Sequence, residues 1–113
     1  AHPEIDMIFA ANDYMIMGAE KAASALNMDD LVLLGNDGDT AALEEIHADN
    51  VTATVNTTPY VMGQIVLQVA LDGLYGNFDG GFVETPTVIV DQDNAVEYLQ
   101  EPGKLFPKPS KEY

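Results

Sequence analysis

The feature that most restricts the fold is an alternation of short apolar runs and helix-periodic segments, with each of the first two runs ending in an acid-amide pair. Ile5-Asp6-Met7-Ile8-Phe9-Ala10-Ala11 leads into Asn12-Asp13, and Leu31-Val32-Leu33-Leu34-Gly35 leads into Asn36-Asp37-Gly38. The second run does not alternate apolar with polar residues, as expected where both faces of a parallel sheet are covered. Strands alternating with helices predict an α/β domain, a three-layer parallel sheet with helices on both faces. In such a sheet the carboxyl ends of neighbouring parallel strands form the crevice where small ligands bind. Asn and Asp placed there offer donors and acceptors to a hydroxyl-rich molecule.

The rest of the chain continues the pattern. Met15, Ala19, Ala22, Ala23 and Leu26 recur at helical spacing, predicting a helix over about 13–26 that breaks at Asn27-Met28-Asp29-Asp30. Asp39 or Thr40 caps the next helix, with Glu44 and Glu45 expected in its first turn and Leu43 and Ile46 facing inward. A third strand, 51–55, runs into Asn56-Thr57-Thr58, and Pro59 stands where a helix start tolerates proline. The helix that follows, about 60–74, is polar only along Gln64, Gln68 and Asp72; a helix so apolar around its circumference is expected to be buried. A chain of 113 residues has little to bury it with, so a partner surface is missing from the sequence. Glycines at 73, 76, 80 and 81 connect to a last strand, 82–90, which Pro86 interrupts. Asp93 or Asn94 caps a short helix to Gln100, and the proline-bearing tail (Pro102, Pro107, Pro109) is expected to be extended.

Charge and composition narrow the function classes. Nineteen acidic residues against four basic ones leave a net charge of -15, a surface that repels nucleic acid and anionic lipid. No run is long and apolar enough to cross a bilayer, and a start at Ala1 reads as a fragment or processed piece, so the lack of a signal peptide says nothing of location. There is no cysteine, and His2 and His47 have no partner at metal spacing, so neither a cofactor nor a metal is expected. Asp37-Gly38-Asp39-Thr40 is a poor phosphatase motif, with its threonine one place early and no lysine to follow. Asn36-Asp37-Gly38-Asp39 lacks the later glutamate of a calcium loop. No serine-histidine or cysteine-histidine constellation supports catalysis, and an enzyme is not expected.

Four segments in order resemble the type I periplasmic binding proteins. Phe9 through Ala19 is similar to their "NDxMAxGA" segment after a strand, Leu33 through Gly38 to their "VGxDG" turn, Thr52 through Gly63 to "ATVxxxPxxMG", and Thr85 through Asn94 to the closing strand and "DN" turn of the sugar-binding members. The resemblance implies the C-terminal portion of a two-lobed clamp that captures a sugar or similar polyhydroxylated molecule for an ABC importer by hinge closure. It implies a periplasmic or lipid-anchored extracellular location, and as partners the membrane subunits of the importer and the N-terminal remainder of the same protein. It also implies a division: 1–57 in the second, ligand-binding lobe, 58–90 completing the first lobe after a hinge crossing, and 91–113 as hinge return, short helix and tail. By resemblance Asn12 and Asp37 bond ligand hydroxyls, with Asp13 beside them as the helix cap and a further candidate. Thr57 occupies a ligand position that usually carries Gln or Asn, and Asn36 one that is often apolar or aromatic. The alternative is the effector domain of a LacI-type transcription regulator, although the chain lacks the "GFDD" turn usual there. A small phosphotransfer enzyme of flavodoxin-like shape is the third reading.

Overall fold

A computed structural model describes His2 and residues 4–101, so the expected extended tail lies outside the described residues. The order is β1 (Met7–Phe9), α1 (Asp13–Ala25), β2 (Val32–Asp37), α2 (Thr40–His47), β3 (Ala53–Asn56), α3 (Pro59–Leu74), β4 (Val88–Asp91) and α4 (Ala95–Gln100). The strands lie in the order β1-β2-β3-β4. The first three run parallel, and β4 pairs antiparallel with β3, Val90 opposite Thr54. The sheet is therefore mixed, because the chain returns to it from the end at which it left. The strand expected over 82–90 begins only at Val88. Pro86 removes a ladder donor, and strand pairing starts beyond it.

One face of the sheet is covered. Ile8, Leu33, Val88 and Val90 meet Ile16 of α1, Leu43 and Ile46 of α2, and Ala95, Tyr98 and Leu99 of α4 in a single core. Full burial of a side chain such as Ile16 or Ile46 contributes roughly 1.5–3 kcal/mol. The opposite face carries Met7, Phe9, Val32 and Ile89, and Phe9 and Ile89 keep 63% and 65% of their surface exposed. The double-sided apolar run at 31–34 thus has only one of its two expected covers within the described residues.

Local expectations met tertiary competition in α1 and α2. In α1 the buried phase runs through Asp13, Ile16 and Ala23, whereas Met15 and Leu26 are exposed. With Tyr14, Met15, Ile16 and Met17 all apolar, the periodicity alone does not set the phase; the burial of Asp13 does. In α2, Leu43 and Ile46 face inward as expected, but the first turn carries no acid, since Glu44 and Glu45 come later, and Asp39 is the N-cap without a side-chain capping bond. Pro59 opens α3 as expected, and Gln68 Nε2 donates to Asp72 Oδ1 at 3.1 Å along the polar stripe.

Helix α3 buries only Val61 and leaves Val66, Leu67, Leu71 and Leu74 exposed. The radius of gyration is 17.5 Å, with extents of 57 × 31 × 16 Å. A compact chain of this length has a radius of about 13 Å.

Candidate functional site

The carboxyl ends of β1, β2 and β3 lie along one edge of the sheet, and the four candidate residues stand on or just beyond them. Asn12 follows β1 with extended backbone (φ -152°), and its Oδ1 accepts the Met15 N–H at 2.9 Å. Asn12 is therefore the N-cap of α1, a role expected of Asp13. The order reverses because capping needs an extended residue whose side chain folds over the first turn, and Asp13 is already helical. Capping uses only the carbonyl half of the Asn12 amide.

Asp13 has no exposed surface and lies beneath the β2–α2 turn. Its Oδ2 accepts the backbone N–H of Gly38 at 2.8 Å and of Asp39 at 2.7 Å, and its Oδ1 accepts the Thr54 hydroxyl at 2.6 Å. Both oxygens are thus committed within the fold. Burial raises the Asp13 pKa above the ordinary carboxylate range, against the opposing pull of the Thr54, Asp39 and Gly38 bonds. Gly35 permits this approach, since a Cβ there would stand 2.3 Å from Asp13 Oδ1.

Asp37 ends β2 half-buried at φ +123°, a conformation that residues with a Cβ rarely adopt. Its Oδ1 accepts from Asn36 Nδ2 at 3.0 Å. Asp37 and Thr57 together line a cleft of about 300 Å³, whose walls also include Asp39, Thr40, Asn56 and Tyr98. Thr57 is half-buried, and its N–H points to the Asp37 carbonyl at 3.4 Å. Asn12 is not part of that cleft wall, although it shares the same sheet edge through the β1–β2 pairing.

Sequence reasoning missed Asn56 and Tyr98. Asn56 Nδ2 donates to the Gly38 carbonyl at 3.2 Å, and its Oδ1 accepts the Thr58 N–H at 2.7 Å. A polar residue closing an apolar strand was the available signal for Asn56; for Tyr98 there was none, since it reaches the cleft through the packing of α4. His47 is exposed in the last turn of α2, where its position suits the helix dipole, and His2 pairs with Glu4 at 3.0 Å. Among the described residues no group of three or more His, Asp or Glu is gathered as a metal site would need.

Polar side chains at the carboxyl ends of three parallel strands stand where α/β sheets bind small ligands. Residues 1–77 match the model of the periplasmic binding protein domain, and the chain belongs to that family. It is 39% identical over 75 residues to the ribose import binding protein RbsB of Bacillus subtilis (strain 168), covering 66% of this chain and 24% of that protein. Over 55 residues it is 34% identical to the D-apiose import binding protein of Paraburkholderia graminis, covering 49% of this chain and 18% of the relative. Among solved structures, a solute-binding protein of an ABC transporter from Mycobacterium smegmatis with bound glycerol superposes with a TM-score of 0.76 at 30% identity, over 87% of this chain and 34% of that one. One from Bacillus halodurans with bound myo-inositol superposes with a TM-score of 0.71 at 32% identity, over 86% and 34%. The chain spans between about a fifth and a quarter of the length of these curated relatives and about a third of the solved ones.

Proposed function

We propose that this chain forms one jaw of a solute-binding protein that captures a sugar or similar polyhydroxylated molecule for an ABC importer by hinge closure, without chemical conversion. The observation that carries this reading is Asp37, held at φ +123° on the wall of a cleft that Thr57 shares, at the carboxyl edge of parallel strands. Strained backbone persists only where its surroundings over-determine it, and it clusters at ligand sites. An ionised carboxylate there accepts two hydroxyl protons from adjacent carbons of a sugar. Asn12 supplies its amide NH2 to the same ligand, and Thr57 contributes one hydroxyl where a longer amide would reach further. Asp13, its oxygens already occupied, supports the site from beneath.

Two bare apolar surfaces support the half-clamp reading: the outer sheet face around Phe9 and Ile89, and the flank of α3 around Val66 and Leu67. Their cover is the remainder of the same protein. The pairing of β4 with β3 supports a lobe made of residues before Thr57 together with those from Val88, with the excursion through α3 in the other lobe. The importer's membrane subunits are the partners, nucleic acid is not, and the location is periplasmic or, with a lipid anchor, extracellular. Relatives named as import binding proteins favour this reading over a transcription regulator's effector domain or a phosphotransfer enzyme.

Calorimetry on the complete protein with a panel of pentoses, hexoses and inositols tests the reading. A saturable heat with one of them, reduced at least about 30-fold by Asp37→Ala and about tenfold by Asn12→Ala, is expected from the loss of charge-assisted and neutral hydrogen bonds. A panel without binding sinks the function, and a hit with unchanged affinity in both variants sinks the site.

A further inference from the structure

Two buried polar residues, Asn56 and Thr58, join segments that lie far apart in sequence. Asn56 is 3% exposed and uses both halves of its amide: Nδ2 donates to the Gly38 carbonyl, and Oδ1 accepts the Thr58 N–H. Thr58 has no exposed surface, and its hydroxyl donates to the Pro86 carbonyl at 2.6 Å. A continuous series of hydrogen bonds therefore runs from the turn that presents Asp37, through Asn56, to the segment leaving the sheet and on to the segment returning to it. Backbone at both ends is held in unusual conformations, Asp37 at φ +123° and Thr58 at φ +46°. Gly38, at φ +81°, is so close that a Cβ would fall 2.1 Å from Asn56 Nδ2, so the turn is built around this amide.

We infer that Asn56 is a positioning residue, a clip that sets Asp37 against the ligand and makes the Asp37 turn move with the two segments that cross between lobes. The inference rests on the ligand-binding reading of Asp37. A planar amide suits the task because one group must donate to a carbonyl and accept from an N–H at once. Alanine does neither, and aspartate can only accept. Cutting the clip removes the side-chain partner of the part-buried Gly38 carbonyl and of the buried Thr58 N–H, and the strained turn loses a restraint.

The test uses the complete protein. Without ligand, amide exchange followed by NMR is expected to show the Thr58 N–H exchanging about tenfold faster in Asn56→Ala, with protection retained in Asn56→Asp, which keeps the acceptor. With a sugar identified by calorimetry, Asn56→Ala is expected to weaken binding about tenfold in the wild-type background and less than about twofold in the Asp37→Ala background, because its effect passes through Asp37. Unchanged Thr58 exchange overturns the clip. A lower melting temperature with unaltered affinity, or a loss that adds in full to that of Asp37→Ala, overturns the positioning role. A protein that binds none of the sugars refutes the ligand reading of Asp37, and the positioning role with it; the exchange measurement decides the clip in either case.

Discussion

Replacing Asp13 with alanine removes the acceptor for two backbone N–H groups and a hydroxyl, all within 2.8 Å of a carboxylate with no exposed surface. The Thr54 hydroxyl can rotate, but the Gly38 and Asp39 N–H groups are fixed by the turn. Each buried donor left unsatisfied costs about 1–3 kcal/mol, so the two together cost about 2–6 kcal/mol. Relief of the desolvated charge, visible as the raised pKa of Asp13, offsets part of this. A net loss of about 3 kcal/mol is expected for Asp13→Ala. Asp13→Asn keeps one oxygen for the two N–H groups and turns its NH2 toward the Thr54 oxygen, which can accept, so about 1 kcal/mol or less is expected. Urea denaturation of the complete protein, read as a shift in midpoint at constant slope, measures both. The pH dependence has a defined sign. A folded pKa above the unfolded one means that the native state binds more protons between the two values, so this group's contribution to stability falls as pH rises through that window. The stability of the wild type relative to Asp13→Asn is therefore expected to increase as pH drops from neutral to just above the ordinary carboxylate range. Equal losses in the two variants would show that charge, not hydrogen-bond geometry, governs the hold of Asp13 on the β2–α2 turn; a loss below about 1 kcal/mol in Asp13→Ala would refute that hold altogether.

Gly38→Ala combines a positive φ with a Cβ 2.1 Å from Asn56 Nδ2. A loss of about 2–5 kcal/mol is expected, from left-handed strain of about 1–2 plus overpacking of about 1–3, measured by the same denaturation. Residues 1–113 alone, with the outer sheet face and the α3 flank bare, are expected to self-associate at micromolar concentration in analytical ultracentrifugation. A monomer with a cooperative melt would contradict the need for a cover.

Much of the architecture is legible along the chain because its causes are local. Short runs punctuated by Asn and Asp locate the first three strands to within two positions, although the fourth begins six residues later than expected, and Pro59 marks the start of α3 because a first-turn residue needs no N–H. The apolar circumference of α3 was legible too, although the helix expected to be buried buries only Val61. The resemblance named Asn12 and Asp37 together and Thr57 as a departure from the pattern; that Asp37 shares a cleft wall with Thr57 and not with Asn12 was not legible. The phase of α1 was not legible: four consecutive apolar side chains leave the buried face open, and it is chosen by a carboxylate that must reach a turn 25 residues away.

The chain alone was enough for the succession of strands and helices, the edge of the sheet at which the candidate ligand residues stand, and the family. Folding was needed to show which member of Asn12-Asp13 caps α1 and which holds the β2–α2 turn, that β4 pairs antiparallel with β3, and that Asn56 bonds the Asp37 turn to the segment leaving the sheet. The division has one physical cause. Periodicity, capping and proline act within a turn or two of the chain, whereas the partners of Asp13, Asn56 and Thr58 are brought within hydrogen-bond reach only when separate strands have found their register.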